Sequence, residues 1–400
     1  MTILFIVWRS LRQHALSTIV TALAIALAGG LLLAVWIVKT QAHTTFTRVN
    51  TGFDAVLGAR GSQLQLVLNA IFHLEASPGN LAWDDYLFIK NHGAVKRAIP
   101  IAVGDNLRGF RIVGTLPELF TDVEYTPGKK FILRAGRLWA GDEKEAVLGS
   151  FAAERLGLKT GDTFHPFHGL VFDEKNQHAE TYTVAGVLQP SNTPVDKVVW
   201  IPLQGVQTMS GHAAATATDV SAVLIQLRTP TAGFALDMMY NKQGNRLTFA
   251  HPIARVVAEL FNKISWFDRV LALVAYLVAL VSAAGVLVSI YNSMAARRRD
   301  LAILRALGAR RRTLFGAVVL EAATIGALGM VASFAIYAVI VAVVAAVIRT
   351  ETGVVIEMWT MHPVMWRAPL GMIALCALGG LVPAWKAYRT DVADNLSPSS

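Results

Sequence analysis

Residues 292–329 read NSMAARRRDLAILRALGARRRTLFGAVVLEAATIGALG and join an arginine-rich segment to the start of a long apolar run. The part from 293 to 307 contains strong helix formers and neither glycine nor proline, which predicts a helix. Gly308 follows, and glycine readily adopts the left-handed conformation that often ends a helix. Most of the large apolar side chains fall on one half of the helical wheel, although two charged residues break the pattern. The stretch therefore predicts a short, moderately amphipathic helix immediately before an apolar span.

Four apolar runs divide the chain, and they occupy residues 15–38, 270–291, 314–348 and 368–385. The runs at 15–38, 270–291 and 368–385 have no charged residue, and the run at 314–348 has only Glu321. Each is long enough for a membrane-spanning helix, which needs roughly 20 mainly apolar residues. The first run is longer than the apolar core of a cleaved signal peptide, so we expect a retained anchor. The third exceeds one perpendicular crossing, so we expect it to tilt or to begin at the interface.

The composition also favours a membrane protein. Apolar residues make up 54% of the 400 residues and charged residues 16%, against about 25% charged residues in typical soluble domains. The mean hydropathy is +0.48. These values exclude a fully water-exposed protein and a disordered chain. The single cysteine, Cys376, excludes an intrachain disulfide.

The net charge of +9 is concentrated beside the apolar runs. Residues 1–14, 292–313 and 386–400 together have 11 basic and 3 acidic residues, whereas residues 39–269 have 23 basic and 21 acidic residues. Lysine and arginine in short loops mark the cytoplasmic face. Both termini and the 292–313 segment are therefore expected inside, and residues 39–269 and 349–367 outside. The basic residues then lie at the membrane, so we expect membrane lipids and no nucleic acid among their partners.

These observations predict an α-helical membrane protein with four transmembrane helices and an α+β extracytoplasmic domain inserted between helices 1 and 2. The expected segments are a cytoplasmic amphipathic N-terminus (1–14), helix 1 (15–38), the extracytoplasmic domain (39–269), helix 2 (270–291), a cytoplasmic coupling segment (292–313), helix 3 (314–348), an outer loop (349–367), helix 4 (368–385) and a cytoplasmic tail (386–400).

The extracytoplasmic domain alternates short strand-like and helix-like segments. Strands are expected at 54–59, 96–103, 110–113, 145–148, 181–188, 197–201 and 222–227, where β-branched and apolar residues are frequent. Helices are expected at 83–91 and 151–156, and Gly157 is a candidate C-cap for the second. We expect residues 130–228, approximately, to form an inserted subdomain.

The sequence contains no recognisable catalytic motif. HExxH, G-x-S-x-G, a cysteine cluster and the phosphate-binding G-x-x-x-x-G-K-[ST] are all absent. His165 and His168 in FHPFHG are the nearest approach to a metal pair, but residues three apart on an extended segment point to opposite faces. We therefore predict no enzyme activity, no metal and no cofactor in this chain, and the role of the two histidines stays open. ATP would have to bind to another subunit.

The run RRRDLAILRALGARRRTLFGAVVLEAATIGALG at 297–329 resembles the signature of the FtsX/MacB/LolC-type permease family of ABC transporters, type VII. In that family an arginine-rich helix with an ILRALGA core precedes the third transmembrane helix. WRSLR at 8–12 is similar to the family's N-terminal amphipathic helix, and residues 136–188 are similar to its periplasmic core. Residues 380–397 resemble the usual exit from the fourth helix.

The resemblance implies a permease subunit, located in the inner (cytoplasmic) membrane, without a fused ATPase. Its partners would be a separate ABC ATPase subunit, a second permease copy or paralogue, and a periplasmic adaptor or carrier protein. ATP hydrolysis by the partner would move the periplasmic domain, a process called mechanotransmission. This movement would drive efflux or the export of lipoproteins or lipids.

By family position, a coupling helix at 297–308 would rest on the ATPase. The residues expected to make this contact are Arg297, Arg298, Arg299, Leu301, Leu304, Arg305, Leu307 and Gly308. An acidic residue at membrane depth is a candidate for a functional or paired group. For Glu321 we expect a structural ion pair with Arg310, Arg311 or Arg312, or a capping role.

Three other classes of membrane protein are alternatives to the permease: a sensor or scaffold, a secondary transporter and a tethered enzyme. A membrane-anchored sensor or scaffold with an extracytoplasmic binding domain would need no ATPase, and it is the main alternative. A secondary transporter often has charges or broken helices in paired repeats at the membrane midplane, whereas three of the four runs here have no charge. A membrane-tethered enzyme would need an acid, base or nucleophile cluster in residues 39–269, and the sequence shows none there.

Neither the substrate nor the choice between homodimer and heterodimer follows from the sequence.

Overall fold

The computed structural model describes residues 3–48, 52–141, 144–209, 218–296, 303, 308–355 and 362–389. The chain forms two compact units. The first consists of Met1–Gln41, Ile264–Ala345 and Glu357–Ser400, and the second of Ala42–Lys263 and Ala346–Ile356. We call them the helical unit and the sheet unit.

The described part of the chain contains short helices in the sheet unit and long apolar helices elsewhere. They are α1 (Ile3–Gln13), α2 (Ala15–Arg48), α3 (Gln63–Ala70), α4 (Trp83–Lys90), α5 (Glu118–Thr121), α6 (Ser150–Leu156), α7 (Leu203–Gln207), α8 (Ala232–Asp237), α9 (Ile253–Ala296), α10 (Arg311–Thr352), α11 (Val364–Gly379) and α12 (Leu381–Arg389). Among these described residues, four segments are long and apolar enough to cross a membrane: Ala15–Thr44, Ile253–Asn292, Arg311–Thr352 and Val364–Trp385.

Three of the long helices are much longer than a membrane crossing requires. Helices α2, α9 and α10 have 34, 44 and 42 residues. At 1.5 Å per residue they are about 50 to 65 Å long, whereas the hydrocarbon core is about 30 Å thick. One end of each helix, namely residues 42–48, 253–263 and 346–352, belongs to the sheet unit. The chain therefore continues from one unit to the other as unbroken helix at these three places.

Small residues let α2 and α10 approach closely within the helical unit. A Cβ added to Gly29 would lie 2.6 Å from the sulfur of Met330, and one added to Gly329 would lie 2.6 Å from Cβ of Ile25. Both positions are therefore limited to glycine unless a neighbour moves. Small residues at helix interfaces permit close backbone contact in membranes, where packing rather than the hydrophobic effect drives helix association.

The sheet unit is built from short strands. They are β1 (Ala55–Ala59), β2 (Val95–Leu107), β3 (Phe110–Thr115), β4 (Glu124–Thr126), β5 (Lys129–Lys130), β6 (Leu133–Gly136), β7 (Glu145–Leu148), β8 (Thr163–Phe164), β9 (Phe167–His168), β10 (Tyr182–Leu188), β11 (Val199–Pro202), β12 (Ala222–Leu227) and β13 (Leu247–Ala250).

Eleven of the described strands form one sheet, and β4 and β5 form a separate hairpin. The main order is β13-β1-β12-β2-β3-β11-β7-β10-β6, with β8 paired to β10 and β9 paired to β2. The pairs β7–β10 and β3–β11 are parallel, and the other pairs are antiparallel. This mixed sheet with flanking helices gives the α+β architecture that the sequence predicts. It includes strands from inside and outside residues 130–228, and the subdomain boundary stays a prediction.

Alternation along the strands produces one apolar core on each face of the sheet. Val56 and Trp200 belong to one core, whereas their neighbours Leu57 and Ile201 belong to the other. Successive side chains on a strand point to opposite faces, so each strand supplies both cores. Helices α4, α6, α7 and α8 cover one face, and α3, α5 and the first turns of α9 cover the other.

Several local expectations agree with the structure. Strands β7 and β12 have the bounds that their β-branched and apolar residues predict. Gly157 ends α6 with φ +71°, and its N–H donates to the carbonyl of Ala153, as expected for a left-handed C-cap. Strands β4, β5, β6, β8, β9 and β13 and helices α3, α5 and α7 were missed, because short segments with mixed polarity give a weak periodic signal.

His73 is a buried histidine between the sheet and α3. Its side chain makes an edge-on contact with Trp200, at 5.6 Å between ring centroids. Burial, and secondly the positive charge of Arg111, lower the pKa of His73 from 6.5 to about 3. The folded protein therefore holds this ring neutral at pH values where the unfolded chain binds a proton.

We expect His73 to make the folded state less stable as pH falls from 7 to 5. Between these pH values the unfolded state binds more protons than the folded state, so the free energy of unfolding falls by about 2 kcal/mol through this residue. His73→Asn should show a smaller loss, and asparagine tolerates the positive φ of 55° at this position. The measurement is denaturant unfolding of the full chain in detergent at both pH values. The exposed His165 gives the control His165→Asn. Equal pH dependence in wild type and His73→Asn would contradict the assignment.

Candidate functional site

The expected coupling helix falls mostly outside the described residues. Arg297, Arg298, Arg299, Leu301, Leu304, Arg305 and Leu307 are among those the structure does not describe. Their contact with an ATPase therefore stays a prediction.

Gly308 is described, and its backbone conformation requires glycine. Its φ is +95°, a value that residues with a Cβ rarely adopt. A Cβ at this position would meet no atom of the described residues within 4 Å. The restriction is thus conformational rather than steric. Helix α10 begins three residues later, at Arg311, so only a short turn separates the arginine-rich segment from a 42-residue helix.

Glu321 connects α10 with the N-terminal helix α1. Its side chain is buried, and its Oε1 accepts a hydrogen bond from the hydroxyl of Ser10. Val7 and Leu11, on the same helix as Ser10, are also buried. A buried carboxylate is costly without polar partners, so this contact fixes where α1 can lie against α10.

The expected ion pair of Glu321 with Arg310, Arg311 or Arg312 stays a prediction. Arg312 lies nine residues before Glu321 on the same helix, which is about 13 Å along the axis. That separation disfavours a direct pair within one helix.

The other end of α10 docks on the sheet unit through side chains of its last turn. Arg349 Nη2 lies 3.0 Å from Glu154 Oε2, and its guanidinium carbon lies 5.3 Å from the ring centroid of Phe151. Arg155 Nη2 donates to Thr350 Oγ1 at 3.3 Å. The three partners Phe151, Glu154 and Arg155 all belong to α6. The last turn of α10 is thus held against α6 by an ion pair, a cation–π contact and a hydrogen bond.

The C-terminal end of α10 and the residues that follow it form hydrogen bonds with a loop at 191–197. Gly353 has φ +75°, and its N–H donates to the carbonyl of Arg349 at 2.9 Å, which ends the helix. Val355 N–H then donates to Asn192 Oδ1 at 2.6 Å, and Asn192 Nδ2 donates to Val355 O at 3.4 Å. Lys197 Nζ donates to the carbonyl of Glu351.

Asp196 holds this loop in place. Its carboxylate accepts hydrogen bonds from the N–H of Ser191 at 2.9 Å and the N–H of Asn192 at 2.8 Å. Burial raises the pKa of Asp196, and these hydrogen bonds oppose that effect. Asn192 is thereby held with φ +56°, in the orientation that reaches the backbone of Val355.

Sequence reasoning treated residues 349–367 as a neutral outer loop and missed this contact. A helix C-terminal signal was available, because Arg349 lies in the last turn and Gly353 follows it. The partners lie 154 to 195 positions away in the sequence, and no local pattern indicates them.

His165 and His168 point to different partners, which agrees with the expected opposite faces. His165 Nδ1 lies 3.1 Å from the carbonyl of Glu180. His168 Nδ1 lies 3.4 Å from Asp105 Oδ1, and His178 Nε2 lies 3.1 Å from the same oxygen. In the described part of the chain, Asp105, His168 and His178 are the group of side chains that could hold a metal ion. Asp105 was missed because it lies far from the two histidines in the sequence, and His178 was missed because its ten-residue separation from His168 matches no common metal-ligand spacing.

Two family models match the chain. The FtsX-like permease C-terminal model matches residues 272–392, and the MacB-like periplasmic core domain model matches residues 15–235, which is more than half of the chain. The chain therefore belongs to the FtsX/MacB family of ABC-transporter permease components, which are membrane proteins and not themselves enzymes.

Solved structures similar to part of this chain include a periplasmic region and an extracellular domain of two transporters. The periplasmic region of MacB from Actinobacillus actinomycetemcomitans is 11% identical, with a TM-score of 0.36, over 53% of this chain and 94% of that chain. The extracellular domain of the noncanonic ABC-type transporter YknZ from Gram-positive bacteria is 16% identical, with a TM-score of 0.31, over 48% of this chain and 97% of that chain. No curated protein matches the chain.

We expect Asn192→Gly to release residues 353–355 from the loop. Glycine keeps access to the positive φ but removes both side-chain hydrogen bonds. Loss of about 2 kcal/mol of local stability, about 1 kcal/mol for each bond, should speed amide exchange of Val355 about thirtyfold. Hydrogen–deuterium exchange of a peptide that covers residues 350–358 of the full chain measures this. The control is Asn176→Gly, since that exposed asparagine bonds Asp173 instead. An unchanged rate in Asn192→Gly would show that this contact does not hold the segment.

Proposed function

We propose that this chain is the transmembrane subunit of an ABC transporter that works by mechanotransmission. A separate ATPase subunit hydrolyses ATP, and the permease converts the resulting movement into a change of its α+β domain outside the cytoplasm. The observation that carries the proposal is the continuity of α10. This helix runs from three residues after Gly308 to Thr352, and the chain after it binds the loop at 191–197.

A continuous helix is suited to this task because its backbone hydrogen bonds make it stiff along the axis. Movement of the arginine-rich segment would enter α10 through the short turn at Gly308. At the other end, the movement would reach α6 through the ion pair of Arg349. It would reach the loop at 191–197 through the hydrogen bonds of the Asn192 side chain to the backbone of Val355. Helices α2 and α9 also continue into the sheet unit and would carry the same displacement.

The proposed arrangement places the chain in the inner membrane with the α+β domain between helices 1 and 2 on the periplasmic side. The distribution of basic residues supports this topology. Helix α1 supports it as well, because Leu4, Phe5 and Trp8 are exposed while Val7 and Leu11 are buried. A helix with an exposed apolar side fits the membrane interface.

The proposed partners are an ABC ATPase, a second permease copy or paralogue, membrane lipids, and an adaptor or carrier protein outside the cytoplasm. Residues 1–400 contain no phosphate-binding loop, so in the proposal ATP binds outside these residues, to an ABC ATPase. Efflux and export of lipoproteins or lipids are the two transport modes that the proposal includes.

Reporter fusions test the topology. A fusion of alkaline phosphatase after Gln204, an exposed residue of the sheet unit, should be active because this unit lies outside the cytoplasm. A fluorescent protein after Asn395 should be fluorescent because the C-terminus lies inside. An inactive phosphatase after Gln204 in a stably inserted protein would overturn the topology.

A matched pair of glycine substitutions tests transmission. An added Cβ meets none of the described atoms within 4 Å at Gly308 or at Gly316, but only Gly308 of the two has a positive φ. Gly308→Ala should cost about 1–2 kcal/mol in the turn, whereas Gly316→Ala should favour the helix slightly. We expect Gly308→Ala to reduce co-purification with the ATPase or to uncouple ATP hydrolysis from transport, and Gly316→Ala to behave as wild type.

The measurements are co-purification from native membranes and ATPase turnover in lipid nanodiscs. Leu304→Asp provides an independent test, because an unpaired charge in the expected contact should be costly. If all variants bind the ATPase and support wild-type turnover, residues 297–308 are not the transmission element. If no ATPase co-purifies with wild type, the sensor or scaffold function replaces the proposal.

A further inference from the structure

Three side chains of the sheet unit meet at one point, one from strand β2 and two from a single later segment of the chain. Asp105 lies on β2, His168 lies on β9, and His178 follows a short 3-10 turn at Glu174–Asn176. Strand β9 pairs with β2 so that His168 is directly opposite Asp105. Residues opposite each other in an antiparallel pair have Cβ atoms about 5 Å apart, which brings the imidazole to the carboxylate.

The geometry of the three donor atoms fits a metal ion. His168 Nδ1 is 3.4 Å and His178 Nε2 is 3.1 Å from Asp105 Oδ1, and all three donor atoms lie within 4.8 Å of one another. In a tetrahedral zinc site with bonds of about 2.0–2.1 Å, neighbouring ligand atoms are about 3.3 Å apart. The two distances to Asp105 Oδ1, 3.4 Å and 3.1 Å, lie on either side of that value.

The chemistry of the donors narrows the choice of ion. Two imidazole nitrogens and one carboxylate oxygen suit Zn²⁺ and related divalent transition metals, whereas Mg²⁺ and Ca²⁺ prefer oxygen ligands. Asp105 is fully buried and the His178 side chain is 5% exposed, but the His168 side chain is 53% exposed. The site is therefore closed on the sheet side and open to solvent beside His168, where a fourth ligand such as water would bind.

Neighbouring hydrogen bonds hold the backbone of the site in position. The buried Asn106, next to Asp105, donates through Nδ2 to the carbonyl of Gly169 at 2.8 Å, and its Oδ1 accepts from the N–H of Gly109 at 3.0 Å. The N–H of His178 donates to the carbonyl of Pro166 at 2.9 Å. These bonds fix the segments on both sides of His168, so little ordering is needed when an ion binds.

We propose that Asp105, His168 and His178 form a Zn²⁺ site with three protein ligands and one exchangeable position. Asp105 supplies a carboxylate oxygen, His168 its Nδ1 and His178 its Nε2. The bound ion ties the surface segment between His168 and His178 to strand β2. That segment includes Val171, which is 82% exposed, so the ion would control the shape of an outer surface of the domain. The site does not depend on the proposed transport role.

Zinc titration of the full chain tests the site. The protein is purified in detergent with a streptavidin-binding tag instead of a polyhistidine tag, stripped with a chelator, and titrated with ZnCl₂ in a calorimeter. We expect one tight site per chain. His168→Gln and His178→Gln should each weaken binding at least tenfold. The matched control is His165→Gln, which removes a nearby exposed histidine from outside the cluster and should bind zinc as wild type does.

Two further readouts separate loss of a ligand from loss of the fold. Because the His168 side chain is mostly exposed, His168→Gln should melt at the wild-type temperature without zinc, and added zinc should raise the melting temperature of wild type only. Co²⁺ should give the visible absorption bands of tetrahedral coordination in wild type and not in His168→Gln. Equal zinc affinity in wild type and His168→Gln, or no tight site in wild type, would overturn the proposal and would leave a hydrogen-bonded Asp–His cluster.

Discussion

The hydrocarbon core of a membrane imposes the constraint on which this structure depends. Backbone N–H and carbonyl groups have no water partners there, so a crossing segment must satisfy them within its own helix. Helices α2, α9 and α10 meet this requirement and then remain helical for several more turns in the sheet unit. The chain therefore passes from one unit to the other as helix at three places.

Packing determines where these helices can move. Gly29 and Gly329 bring α2 and α10 into close contact, with no space for a Cβ at either position. The hydrogen bond between Ser10 and Glu321 connects α1 with α10. A short helix is therefore joined to a helix long and apolar enough to cross a membrane by a buried polar contact, and this contact is specific because an unsatisfied buried carboxylate is costly.

The sequence predicts those parts of the structure that depend on local patterns. The apolar runs give the four membrane-spanning helices, the β-branched segments give most central strands, and Gly157 and Gly308 have the left-handed backbone that their positions favour. The extension of α10 through Arg349 was not predicted, because its polar last turn is stabilised by α6 and the loop at 191–197. The meeting of Asp105 with His168 was not predicted either, since it depends on sheet register and not on spacing.

The strength of the outer contact of α10 matters for the proposed transport cycle. The ion pair of Arg349 and Glu154 is exposed, and such pairs contribute about 0–1 kcal/mol. The two hydrogen bonds between Asn192 and Val355 add about 1 kcal/mol each. These interactions alone give about 2–3 kcal/mol, which is comparable with the coupling free energies between sites in allosteric proteins, about 1–3 kcal/mol. In the proposed mechanism such a contact would hold the end of α10 in one state, and the free energy of ATP binding and hydrolysis in a partner would be large enough to break it. In the proposed mechanism, the contact of residues 349–355 with α6 and the loop at 191–197 therefore forms and breaks during the cycle. The covalent connections through α2, α9 and α10 persist throughout.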